Sequence, residues 1–261
     1  MLTSIYAKSI RDAALWTISA VVILVVLVVV ALPAYSSFGD EYINLFESMP
    51  EWIAVVYGDE ATSVAGLVGT ALFTLMGPLV LLVYAIALGT GAAVGEEEAR
   101  TLPLLLSNPL SRGRILVTKA VVVAGGIVLI VLALWLAVET MAGLVGIEMS
   151  SQDVLAASVH LAAFALLFGS LALATAAWTA SSTIGLAVAA LVAASSYVAS
   201  TWLPLVESLA DLATWSPWHL YAGANALHRG VDGVLLLIAV GLTGLFFGAG
   251  LLGLQRRDLK E

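Results

Sequence analysis

GEEEARTLPLLLSNPLSRGRILVTK, residues 95–119, separates two long apolar runs and decides how the chain is threaded. Four of the ten basic residues lie here: Arg100, Arg112, Arg114 and Lys119. Three consecutive carboxylates, Glu96, Glu97 and Glu98, open the segment, and a leucine cluster fills its middle. Lys and Arg collect on the cytoplasmic side of membrane proteins, so the segment marks the inner face. A loop that only joined two helices would need none of these features, and this one reads as a docking surface for another protein.

The rest of the chain fits a membrane setting. Of 261 residues, 61% are hydrophobic and 11% charged, and the mean hydropathy is +1.07. Soluble domains are about half apolar and a quarter charged. A helix needs about 20 apolar residues to cross a bilayer. Six such spans are found, at about 14–32, 64–94, 116–138, 154–178, 184–203 and 233–254. The expected fold is therefore all-α, a single polytopic domain over 1–261 with six transmembrane helices. The first run is longer than the 7–15 residue core of a signal peptide and reads as a retained span. Residues 1–13, with Lys8, Arg11 and Asp12 opposite Leu2, Ile5 and Ile10, read as an interfacial amphipathic helix. Pro33 is expected to close the first span, and the second is long enough to tilt or to carry a break near Gly77-Pro78.

Charge counting sets the orientation. With the N-terminus inside, segments 1–13, 95–119 and 255–261 hold two, four and three basic residues, nine of the ten. Only Arg229 falls outside, while the outer connectors gather acids such as Asp40, Glu41, Asp153 and Asp232. Both termini are expected in the cytoplasm, and the protein in the cell membrane. The net charge is −8, and Arg outnumbers Lys seven to three. An acidic chain poor in lysine suggests a high-salt organism, and it offers no basic surface for nucleic acid.

Few residues carry chemistry. There is no cysteine, which excludes disulfides, thiolate catalysis and cysteine metal sites. His160, His219 and His228 lack ligand spacing. No G-x-S-x-G, H-E-x-x-H or G-x-x-x-x-G-K-[ST] occurs, so the chain has no phosphate loop for ATP. No enzyme activity and no cofactor or metal of its own are expected. Glu139 and His160 are the candidate intramembrane polar pair, since ionisable groups in lipid are costly and tend to be functional. Against a proton relay stands headgroup-level solvation of both. Gly244 and Gly248, a GxxxG pair, and Gly125-Gly126 mark expected close helix contacts.

Within the charged segment, over residues 95–115, Thr101 can cap a short helix. Pro103 is tolerated in its first turn. Asn108, before Pro109, is pushed out of helical geometry. The expected helix is 102–108. At 3.6 residues per turn, Leu102, Leu105 and Leu106 share one face and Leu104 points away. A helix this short needs contacts on both sides. Leu104 is left for a partner, with Glu96–Glu98, Arg100, Arg112 and Arg114 as a polar rim that steers it.

These features together resemble the membrane subunits of ABC-type exporters, the type-2 permease family. The resemblance rests on Glu96–Glu98, Thr101-Leu102, Leu104–Leu106, Ser107-Asn108-Pro109, Ser111-Arg112 and Lys119. It extends to Lys8 and Arg11, to Ser216-Pro217 and to Arg256-Arg257-Asp258. Arg100 departs from it, standing where a glycine is common. The resemblance implies a permease powered by a separate ATPase, which would hold ATP and Mg. That partner would push on a cytoplasmic coupling helix, and two permease copies would flank the pathway. The cargo would be hydrophobic or amphipathic, because the spans lack a polar lining. Two other classes share some of these features. A non-transporting anchor for a cytosolic partner could use the same loop, and an ion-coupled carrier would depend on Glu139 and His160.

Overall fold

A computed structural model describes residues 2–47, 64–98 and 111–256. Among the described residues, six long helices are able to cross a membrane. They are α1 (Leu2–Glu47), α2 (residues 64–98), α3 (Arg112–Val145), α4 (Ser151–Thr179), α5 (Ser182–Trp202) and α6 (Gly233–Arg256). Hydrocarbon offers no partners to backbone N–H and C=O, so apolar runs of this length must satisfy them internally as helices. No strand occurs among the described residues.

The helices exceed the expected spans at most ends, and two differences are physical. Residues 1–13 were expected as a separate interfacial helix, but from Leu2 onward they continue into the first span as one helix. Pro33 does not close it, and α1 runs on to Glu47. Ser36 Oγ donates to the Pro33 carbonyl at 3.1 Å, one added bond beyond the proline.

In α2 the Gly77-Pro78 break is absorbed by a change of register. Val64–Gly69 is α-helical, Thr70–Met76 is a π-helix, and Gly77–Glu98 is α-helical again. The Gly77 N–H bonds to the Leu72 carbonyl, five residues back. In that register the next donor, at position 78, would serve Phe73, but proline has no N–H. The Tyr221 hydroxyl supplies it instead, donating to the Phe73 carbonyl. Gly77 is required here, because a Cβ would lie 2.6 Å from the Leu72 oxygen.

The bundle is organised around α4. Of its most apolar window 72% is buried, against 11% for α6. It packs against α2 and α6, and then α5 and α3, while α1 pairs mainly with α3. Small residues permit the closest approach: a Cβ on Gly89 of α2 would lie 2.3 Å from the Gly169 carbonyl oxygen of α4. Gly126 of α3 seats the Tyr84 hydroxyl, which meets Thr17 Oγ1 of α1 at 3.0 Å. Thr17 donates to the Ala13 carbonyl, so its lone pair is left for the tyrosine. Gly125, Gly244 and Gly248 contact nothing within 4 Å of an added Cβ. Among the described residues, the close contacts expected of the GxxxG pair are thus absent.

Caps close the ends. Ser111, Ser150 and Ser181 accept from the first-turn N–H groups of Arg114, Asp153 and Ile184. Gly146 ends α3 in the left-handed region at φ 73°, where glycine has no Cβ cost.

The connector between α5 and α6 folds back onto the bundle. It carries short helices Ala210–Ala213, His219–Ala222 and Ala226–Arg229. Ser216 Oγ donates to the Ser196 carbonyl of α5 at 2.7 Å. Trp218 packs edge-on against Phe164 and Tyr197, with ring centroids 4.9 Å apart in both pairs. Such pairs add to simple burial, so the connector is part of the core at this end.

Candidate partner-docking site

The proposed docking segment joins α2 to α3. Arg100, Thr101, Leu102, Leu104, Leu105 and Leu106 lie outside the described residues. Its two roots are described. α2 delivers the acid triplet in its last turn, and Ser111 caps the start of α3.

At these roots the carboxylates divide their work. Helical spacing turns successive residues by about 100°, so the three cannot share a direction. Glu96 points into the bundle and is 9% exposed. Its oxygens lie 2.8 Å from Lys8 Nζ of α1, and Oε1 lies 3.2 Å from Lys119 Nζ of α3. Glu97 is half-buried. Glu98 is exposed, and its Oε1 accepts from the Ser182 N–H at 2.8 Å. The first N–H groups of a helix have no partner within it, and a carboxylate there also meets the positive end of the helix dipole. Two members of the expected polar rim are therefore engaged within this chain. Arg112 is half-buried and Arg114 exposed, and Gly113 between them faces Leu251 and Gln255 of α6.

The Lys8 and Ser182 partners were missed in the sequence. Both pairings are more than 80 residues apart in the chain, with no local pattern to reveal them.

At the other end of the bundle, His160 is buried and its Nε2 accepts from the Asp232 backbone N–H at 3.1 Å. Asp232 Oδ1 in turn accepts from the Val234 and Leu235 N–H groups and caps α6. Glu139 is half-buried on α3, and no hydrogen bond or ion pair joins it to His160 among the described residues. His160 is thus a satisfied buried imidazole holding the start of α6.

An open groove of about 590 Å³ runs between α1, α2 and α5. Trp16, Leu79, Val83, Leu186, Tyr197 and Trp218 are among its walls.

Five long apolar helices around a sixth, buried central one define a polytopic membrane protein. Residues 6–259 match the family described as ABC-2 family transporter protein. The chain belongs to that family of membrane transport subunits. Comparison with curated proteins finds no match.

Proposed function

We propose that this chain is the permease subunit of an ATP-driven exporter. A separate ABC ATPase docks on residues 95–115, and two permease copies flank the pathway. The observation that carries this is the family match across residues 6–259, in a chain without a phosphate loop of its own. The roots of the docking segment support it, since ion pairs and a helix cap hold them to each other and to two other helices, α1 and α5. A push on a segment so braced reaches the bundle instead of bending the loop.

Both termini and the docking segment lie in the cytoplasm, on the strength of the basic-residue count. Transport is outward by family analogy. The cargo is hydrophobic or amphipathic, because the groove between α1, α2 and α5 has almost no polar lining. Seven Arg to three Lys at net charge −8 fits a high-salt cytoplasm; full stability in low salt would count against that setting.

The test is to purify the tagged permease from its native membranes and identify what accompanies it. An ABC ATPase is expected, and Leu104→Asp or Leu105→Asp is expected to release it. Absence of any ATPase from the wild-type preparation would overturn the assignment. An anchor would retain the partner, but the partner's ATP hydrolysis would not respond to the permease. A carrier driven by Glu139 and His160 has little support, because the imidazole is engaged by Asp232.

A further inference from the structure

Glu96 stands at the root of the docking segment, in the last turn of α2. Its carboxylate is buried between two ammonium groups from two other helices. Lys8 stands in the early turns of α1 and Lys119 in the second turn of α3. A cavity of about 340 Å³ lies beside them, with Ser9, Asp12, Gly91 and Gly95 in its wall. An added Cβ on Gly91 or Gly95 would touch nothing within 4 Å. These glycines therefore do not serve close packing, and the Lys8–Glu96 pair bridges α1 and α2, which stand partly apart at this end. A buried carboxylate that loses its partners keeps the cost of desolvation without the compensating attraction. The contact thus resists breaking when the helices are loaded.

We propose that Glu96 is a positioning residue. The Lys8–Glu96–Lys119 contact clamps the early turns of α1, the last turn of α2 and the first turns of α3 into one lever. Force delivered to the docking segment then moves α1 together with α3. The inference rests on the docking reading above and adds the route by which the force spreads. Lys8 lies 88 positions from Glu96 in the chain, so α1 has no covalent reason to follow the loop closely. The clamp adds to the packing of α1 on α3 a direct polar tie to the root of that loop.

The test uses the permease–ATPase complex in nanodiscs, with hydrogen–deuterium exchange measured before and after trapping with ATP and vanadate. In the wild type, peptides from both α1 and α3 are expected to change protection. Glu96 points into the bundle and not toward the ATPase, so in Glu96→Gln the ATPase should still co-purify and α3 should still respond, while the α1 response is lost. Glu96→Asp should restore part of it. The chain has no native cysteine, so Lys8→Cys with Glu96→Cys can be joined by a bifunctional maleimide. Joining is expected to return the α1 response, which repair of folding alone would not make crosslinker-dependent. A wild-type α1 response in Glu96→Gln, or no recovery on crosslinking, would overturn the clamp. Failure of the docking reading shows elsewhere, as a wild-type permease with no ATPase attached.

Discussion

The Tyr221 hydroxyl donates to the backbone carbonyl of Phe73, 148 positions away. The bond fills the place that Pro78 leaves empty in the π-helical turn, and it ties the α5–α6 connector to α2. Tyr221→Phe removes the donor and keeps the ring against Phe164. A loss of about 1–3 kcal/mol is expected, the cost of a buried acceptor left without a partner. Thermal melting of the purified protein reads it directly.

The same tyrosine predicts an alkaline dependence. Burial raises its hydroxyl pKa above the ordinary 10.0, so the folded state holds a proton that the unfolded state releases near pH 10. Stability from this group is intact below that pH and declines as pH rises above it. Melting curves across the alkaline range should show a shallower decline for Tyr221→Phe than for the wild type. Identical slopes would remove Tyr221 as a contributor.

Helical glycines separate by environment. Gly89→Ala places a methyl group against the Gly169 carbonyl, with backbone on both sides and no side chain able to yield. A cost of about 3 kcal/mol is expected, at the upper end of overpacking. Gly244→Ala and Gly248→Ala meet open space, and the isolated subunit should lose no stability, since alanine favours the helix by about 0.5–1 kcal/mol. Denaturation of the three variants in one detergent tests the contrast.

Glu98→Ala removes the carboxylate that accepts from Ser182. The group is exposed, and Ser181 still caps the first turn through Ile184. The expected cost is about 0.5–1 kcal/mol. A hydrogen-exchange increase confined to the first turn of α5 is the specific sign.

Glu139→Gln should leave the permease-dependent ATPase rate of the assembled complex unchanged. His160→Leu should lower the melting temperature by the worth of one hydrogen bond, about 1 kcal/mol, because it strips the acceptor from the Asp232 N–H. If Glu139→Gln instead stopped turnover, a proton-coupled role would return.

Hydropathy alone was enough to read the six spans, since lipid leaves a long apolar run no alternative to a helix. Local breakers were misleading. Pro33 lies inside α1 and Pro78 inside α2, for a helix in a bundle can recruit outside partners, as Phe73 recruits Tyr221. Glu96–Glu98 were legible as unusual but not in their roles, which depend on Lys8 and Ser182 arriving from distant helices. Gly126 was legible as a contact glycine, whereas Gly244 and Gly248 show the same spacing without a contact in the chain. The leucines of the docking segment, Leu102 to Leu106, lie outside the described residues.

The burial of α4 bears on how the protein is made. Its strongest partner, α2, and its neighbour α3 precede it in the chain, and α1 already has α3 to rest on. A nascent chain that has emerged through Thr179 therefore contains the centre of the bundle. α5 and α6 then arrive at a surface already in place, and α6 lays its few buried residues, Ala239, Gly250 and Gly253, on a finished seat. Synthesis order and architecture agree, and the ribosome delivers the helices in the sequence in which the bundle can receive them.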